Sequence, residues 1–179
     1  MLVDVVTPLL TEFGTAVTTW QIAERAGIAE GTSFRAFESK EELIQAAVDR
    51  QLDPEPFRLK LRDVDGALPL EERLHSIVVL MRERFTTVFT LMTALGLLGK
   101  PHAHDPRREF TDILALALAP DLARLNFFGE RCAQIICMVS LVATMPLMHL
   151  GAAFDDDEIT ALILYGIAGL PDPADLTSR

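Results

Sequence analysis

Between Arg131 and Asp155 the chain runs for 23 residues without an Asp, Glu, Lys or Arg. A stretch this long without charge has to be buried, either in lipid or in protein. Its length passes the threshold for a membrane-spanning helix, but its details point the other way. It contains Gln134, Ser140, Thr144, Pro146 and His149 and runs out into Gly151-Ala152-Ala153. No Trp or Tyr marks an interface, and the far flank is Asp155-Asp156-Asp157-Glu158. A helix that is apolar all round can sit at the centre of a bundle or on a subunit interface. A buried helix with no membrane partner is therefore the expectation.

The rest of the chain supports a helical reading. Strand-like alternation is absent, and β-branched runs bounded by turn residues are few, so the expected fold class is all-α. Half of the 179 residues are apolar, and a chain of this size buries roughly 70% of its unfolded surface without needing a disulfide scaffold. Cys132 and Cys137 point to different faces of a helix and read as buried, reduced thiols. The start Met1-Leu2-Val3-Asp4 has no basic region and no cleavage-like site, so no secretory signal is read there and the expected location is cytoplasmic.

A first helix is expected over Leu2 to Phe13, with Pro8 shortening its start, Thr7 as a candidate N-cap, and Gly14 as its end. Thr18 opens a second, with Gln21 three residues on in a capping-box pattern, and Gly27 stops it. A short third helix runs from Glu30 to about Phe37. Ser39, with Glu42 in a second capping-box pattern, opens a fourth that reaches about Leu52, where Asp53-Pro54-Glu55-Pro56 breaks it. Longer helices follow. One apolar-periodic stretch covers Leu70 to Leu98, as two helices or one bent one, and His102 to Pro106 form a loop. Further helices cover Arg107 to Leu118, Gly129 to Leu150 and Asp156 to Ile167. The composition shift between Asp53 and Pro69 divides the chain into a domain of residues 1–52 and one of residues 53–179.

The informative segment is Thr18 to Leu43. A capped helix, a glycine turn and a second short helix are what a helix-turn-helix requires. Gly27 permits a left-handed turn residue, Ala23 is small where the helices approach, and Ile22, Ala26, Ile28, Phe37 and Leu43 supply a small core. The second helix of such a pair lies in the major groove of DNA with its N-terminal residues nearest the bases. The net charge of the chain is −10, which excludes a nucleic-acid binder that works through bulk basicity. Contacts must be local and geometric.

This segment closely resembles the signature of the tetracycline-repressor (TetR) family of bacterial regulators. The matching residues are Thr18-Thr19, Ile22-Ala23, Ala26-Gly27, Gly31-Thr32, Phe34-Arg35, Phe37 and Ser39-Lys40, in order and without gaps. The resemblance implies a three-helix DNA-binding head and a fourth helix connecting it to a larger helical domain with a small-molecule site. It implies that the last two helices pair with a second subunit as a four-helix bundle. It also implies that effector binding moves the connecting helix and spreads the two heads.

Some positions depart from the pattern. Ala29 stands where a Ser cap is usual, at a cost of about 1 kcal/mol. Glu30 replaces a common Lys, Ser33 a usual aliphatic residue, and Phe34 a Tyr that often reaches a phosphate. Through Leu52 the net charge is −4. Backbone N–H groups at helix starts hold phosphates without net charge, and Thr18, Thr19, Trp20 and Lys40 sit at such starts. Trp20 reads either as apolar backing or as a direct contact, and Lys40 either as a phosphate ligand or as a solvated surface charge. Thr32, Ser33, Phe34 and Arg35 are the candidates on the second helix of the pair, for base edges or phosphates. Arg35 has the alternative of a salt bridge to Glu38 or Glu42.

In the second domain Phe85, Phe89 and Met92 recur at helical spacing beside the hydroxyls of Thr86, Thr90 and Thr93. With Met81, Phe110 and Met138 they outline either ordinary core or an apolar pocket with hydroxyl anchors. The methionines would let such a pocket adapt to varied shapes. Few charges lie on these faces, so the expected effector is apolar or weakly polar. Ile159, Leu162, Ile163 and Gly166 follow i, i+3, i+4, i+7 on the final helix. With Ile135 and Val139 of the apolar helix they outline a homodimer surface, paired across a two-fold axis. No catalytic motif, phosphate loop or metal-ligand cluster appears. His102 and His104 are spaced as a metal pair could be but read as an exposed loop, and no metal or cofactor is expected.

The function read from the sequence is a homodimeric transcriptional regulator, a repressor released from a palindromic operator in double-stranded DNA by a small effector. The first alternative is a helical ligand-binding protein of the same fold with weak or lost DNA binding. The second is a small helical enzyme.

Overall fold

The computed structural model describes residues 2–29, 37–96, 107–145 and 151–168. Every regular element among the described residues is helical, as the missing strand alternation predicts. In chain order these are α1 (Leu2–Phe13), α2 (Thr19–Ala26), α3 (Lys40–Leu52), α4 (Glu55–Arg62), α5 (Leu70–Ala94), α6 (Arg107–Leu118), α7 (Gly129–Thr144) and α8 (Asp156–Ala168). Two 3-10 turns, Gly14–Ala16 and Ala119–Arg124, follow α1 and α6. The chain divides into two compact units: Met1–Asp53 with Thr87–His102, and Pro54–Thr86 with Ala103–Arg179. The end of α5 is thus grouped with the first unit, where a simple division at residue 53 would put it with the second.

The first unit is built on a core of Val6, Leu9 and Leu10 from α1, Val17, Ile22 from α2, and Leu43, Ala47 and Val48 from α3, with Leu91 from α5 added. Pro8 lies inside α1 and does not shorten it. Thr7 is not an N-cap: its hydroxyl donates to the carbonyl of Val3 at 3.2 Å. The corner after α1 needs a glycine for two reasons. Gly14 has φ +58°, and a Cβ there would lie 2.5 Å from the carbonyl oxygen of Ala94.

The second unit has its own core: Phe57 and Leu61 from α4, Leu70, Leu74, Ile77, Val78 and Met81 from α5, and Phe110, Ile113, Leu114 and Leu118 from α6. Cys132, Ala133, Ile136, Cys137 and Ala143 from α7 and Ile159 and Ile163 from α8 complete it. Phe57 meets Phe110 edge-to-face with centroids 4.9 Å apart.

Three boundaries differ from expectation. The prolines after Leu52 end one helix and also start another, because α4 accepts Pro in its first turn, where the missing N–H costs nothing. The Leu70 stretch is a single helix that stops at Ala94, with Gly96 in the left-handed region at φ +63°. Helix α7 stops at Thr144, not at Leu150. Met145 is extended, at φ −79° and ψ 113°, as a residue preceding proline prefers. Residues 146–150 lie outside the described set. Among the described residues no single helix is long and apolar enough to cross a membrane.

Among the described residues of the second unit the one buried charged side chain, Arg73, is paired. The Arg73 side chain is almost fully buried. Its guanidinium donates to the carbonyls of Gly66 at 2.7 Å and Leu68 at 3.1 Å and forms an ion pair with Asp121. Arg124 flanks the same carboxylate at 3.2 Å. Arg73 thereby clamps the loop before α5 to the 3-10 turn after α6. At the start of α8, Asp155 and Glu158 exchange backbone N–H bonds at 2.8 and 2.9 Å in a capping box. Arg82 and His75 of α5 pair with Asp156 and Asp157 of that first turn. Removing one member of a buried pair leaves the other uncompensated. Arg73→Ala is therefore expected to lower the unfolding free energy by about 3 kcal/mol in urea denaturation. A loss below about 1 kcal/mol, the size of an exposed pair, would mean that Arg124 and solvent suffice for Asp121.

Candidate functional site

The head of the molecule is shaped by its helix ends. Thr18, extended at φ −99° and ψ 156°, accepts the N–H of Gln21 at 3.2 Å, and the Gln21 side chain accepts the N–H of Thr18 at 2.8 Å. This is the full capping box that the spacing predicts. Both polar groups of Thr18 are thus engaged in starting α2. At the other end Gly27 is left-handed, at φ +67° and ψ 30°. Its N–H reaches the carbonyl of Glu24 at 3.1 Å, and that of Ile28 reaches Ala23 at 3.0 Å, which closes a Schellman turn. Unlike Gly14, Gly27 has open space around its missing Cβ. Its requirement is purely conformational.

Ser39 caps α3 by accepting the N–H of Glu42 at 3.1 Å. The reciprocal bond differs from the expected box: the Glu42 carboxylate takes the N–H of Glu38, at 2.6 Å. Lys40 is neither a bare surface charge nor a side chain extended into solvent. Its ammonium donates to the carbonyls of Thr15 at 3.3 Å and Val17 at 3.1 Å, in the corner between α1 and α2. Two of its three donors hold the start of α3 against that corner. Trp20 is 58% exposed, so its ring is not packed as core backing. Ile22 and Leu43 are core residues, whereas Phe37 only flanks the core. Thr32, Ser33, Phe34 and Arg35 lie outside the described residues, as do His102 and His104.

The second unit holds a cleft of about 330 Å³ lined by Phe85, Thr111, Arg131, Gln134, Ile135, Cys137, Met138 and Leu141. Of the residues expected to form a pocket, Phe85 and Met138 are there. Met81 and Phe110 are buried in the core and are not among the residues that line this cleft. Phe89, Met92 and Thr93 belong to the part of α5 grouped with the first unit; Met92 is buried and Thr93 exposed. From α7 the sequence reading named only Met138 for the pocket and missed Arg131, Gln134, Ile135, Cys137 and Leu141. Arg131 and Gln134 are polar members of that helix, joined by a bond of 3.1 Å from the guanidinium to the amide oxygen. The spacing 131, 134, 135, 138, 141 was the available signal.

The outer faces also need correction. Ile159 and Ile163 are each 1% exposed and belong to the protomer's own core, so they cannot form an outer surface. Ile135 and Val139 are half-buried against the same core. On α7 and α8 the exposed large apolar side chains are Met138, Val142, Leu162 and Tyr165, with Gly166 also exposed; elsewhere in the second unit Leu116, Phe128 and Phe154 are exposed as well.

A capped helix, a Schellman turn and a later helix start braced by a lysine supply the first helix and the turn of a helix-turn-helix, while residues 30–36, where its second helix is expected, lie outside the described residues. Residues 5–47 match the family model for bacterial regulatory proteins, tetR family. The head belongs to that family, and the whole chain has the fold of its regulators. Among solved structures, a transcriptional regulator of the TetR/AcrR family from Thermobifida fusca matches 92% of this chain and 95% of its own at 22% identity, with a TM-score of 0.61. SmeT, the repressor of a multidrug efflux pump in Stenotrophomonas maltophilia, matches 96% of this chain and 95% of its own at 20% identity and a TM-score of 0.57. AibR, solved with isovaleryl coenzyme A and operator DNA, matches 94% and 96% at 14% identity and 0.55. At these identities what is shared is the fold. The sequence matches none of the curated proteins compared.

One wall of the cleft titrates abnormally. Burial pushes the Cys137 thiol up from 9.0 to about 11, because the interior disfavours the thiolate. The folded state holds this proton more tightly than the unfolded chain. The associated stability is complete below about pH 9 and is lost as pH rises toward 11. In a Cys132→Ala background, alkylation of Cys137 in the folded protein is expected to rise through about pH 11, whereas the urea-unfolded chain reacts as an ordinary thiol. Equal pH profiles for the two would show that Cys137 is solvated.

Proposed function

We propose that this protein is a homodimeric DNA-binding transcriptional regulator, a repressor that leaves a palindromic operator when a small molecule occupies the cleft beside α7. The observation that carries the reading is the cap and turn geometry of residues 18–28, within the segment that matches the family model. Two structural relatives lend support by analogy. AibR was solved with operator DNA and an acyl ligand, and SmeT was solved with triclosan.

The roles on DNA follow from donor geometry. Thr19, Trp20 and Lys40 lie at the starts of α2 and α3, where backbone N–H groups favour phosphate. Lys40 can add its third donor to a phosphate while the other two hold the corner. Thr18 supports the helix start by capping it. Thr32, Ser33, Phe34 and Arg35 supply contacts to base edges and phosphates in the major groove. Pairing of α7 and α8 across a two-fold axis would cover Met138, Val142, Leu162 and Tyr165 and set two heads on one operator. The acidic charge of the head favours a second reading, a ligand-binding protein of this fold that has lost operator affinity.

Selection from a palindromic library separates the two. Operator binding should emerge, weaken steeply with salt, and change the fluorescence of the single tryptophan, Trp20. Lys40→Ala should weaken binding to all sequences alike and reduce the salt slope by about 1, while changes at Thr32 should alter base preference. Absence of any selected sequence at low salt supports the second reading. Sedimentation should give a dimer at micromolar concentration and a monomer for the Met138→Glu, Leu162→Glu double variant. A wild-type monomer would refute the pairing.

A further inference from the structure

The cleft beside α7 has a polar end and an apolar end. Arg131 and Gln134 lie in the first turns of the helix, and Leu141 lies ten residues beyond Arg131, or about 15 Å at helical rise. Phe85, Ile135, Met138 and Leu141 supply apolar wall, and among the described residues Arg131 is the only charged one in the lining. Its partner is a neutral oxygen, that of Gln134. Arg58, Arg62, Arg73, Arg82 and Arg124 of the same unit each face a carboxylate. A neutral ligand would shield this guanidinium from water without compensating it, and a cation would be repelled. The volume of about 330 Å³ equals about eleven water volumes at roughly 30 Å³ each, which suits a short chain or a single ring.

We infer that the cleft binds a small carboxylate with an apolar body, its anionic end held by Arg131 and its apolar end against Phe85 and Leu141. This rests on the reading of the cleft as the effector site. The planar guanidinium matches a carboxylate with two parallel donors, which fixes the ligand's direction in the cleft. The apolar expectation drawn from the sequence is thereby narrowed to an amphiphile.

Isothermal titration of the full chain with octanoate, octanamide and octylammonium tests it, using the wild type, Arg131→Met and Leu141→Trp. Octanoate should bind the wild type, octanamide about ten- to hundredfold more weakly, and octylammonium not at all. Arg131→Met should reduce octanoate to the level of octanamide and leave octanamide unchanged. Leu141→Trp should abolish both. Equal binding of octanoate and octanamide, or octanoate binding indifferent to Arg131→Met, would overturn the anionic class and leave the cleft as a ligand site. Binding of no probe, or binding that survives Leu141→Trp, would overturn the cleft reading itself.

Discussion

The head is organised around one corner that has no room for a side chain. At Gly14 the chain turns through a left-handed conformation with the carbonyl of Ala94 where a Cβ would be. Helix α1 ends there, and the end of α5 abuts it. Three residues later Val17 is fully buried, and the carbonyls of Thr15 and Val17 hold the ammonium of Lys40. A single turn therefore fixes the starts of α2 and α3 and ties both to the last turn of α5. Any residue larger than glycine would need backbone to move, because the obstructing atom is a carbonyl oxygen and not the end of a flexible side chain.

That construction bears on how an acidic head can approach a polyanion. Long-range attraction is absent with a net charge of −4 through Leu52. What remains are short-range donors in fixed positions: N–H groups at two helix starts and an ammonium whose location is set by two carbonyls. Such donors work by geometry, so their value depends on the rigidity of the corner. The capping box at Thr18 contributes by holding the first turn of α2 open toward its N-terminus, and the Schellman turn at Gly27 sets the direction in which the chain leaves.

Local signals were legible in the sequence, and directions of burial were not. Thr18, Gln21, Gly27 and Ser39 act where their chemistry says they should, because caps and left-handed turns are decided within a few residues. The prolines at 54 and 56 were ambiguous, since the same residue that ends one helix can open the next, and α4 was missed. The periodicity of Ile159 and Ile163 identifies a face of α8 correctly but cannot say what covers it, and the protomer's own core does. Phe85, Phe89 and Met92 share a helix face, yet α5 is long enough to serve two compact units. Helical spacing within one rod does not place residues in one pocket.

The long uncharged run is explained by the helix of which the sequence reading assigned only Met138 to the pocket. Helix α7 has 16 residues, about 24 Å at helical rise, before Pro146 forces the preceding residue to extend. One face carries Cys132, Ala133, Ile136 and Ala143 into the core. The adjoining face, with the exposed Met138, lines the cleft, and beyond it Val142 is exposed. A helix asked to meet core, cleft and outer surface at once has few positions where a charge is tolerable. The arginine it does carry sits in its first turn, at the cleft's polar end. There a guanidinium can keep some contact with water until a ligand of opposite charge replaces it.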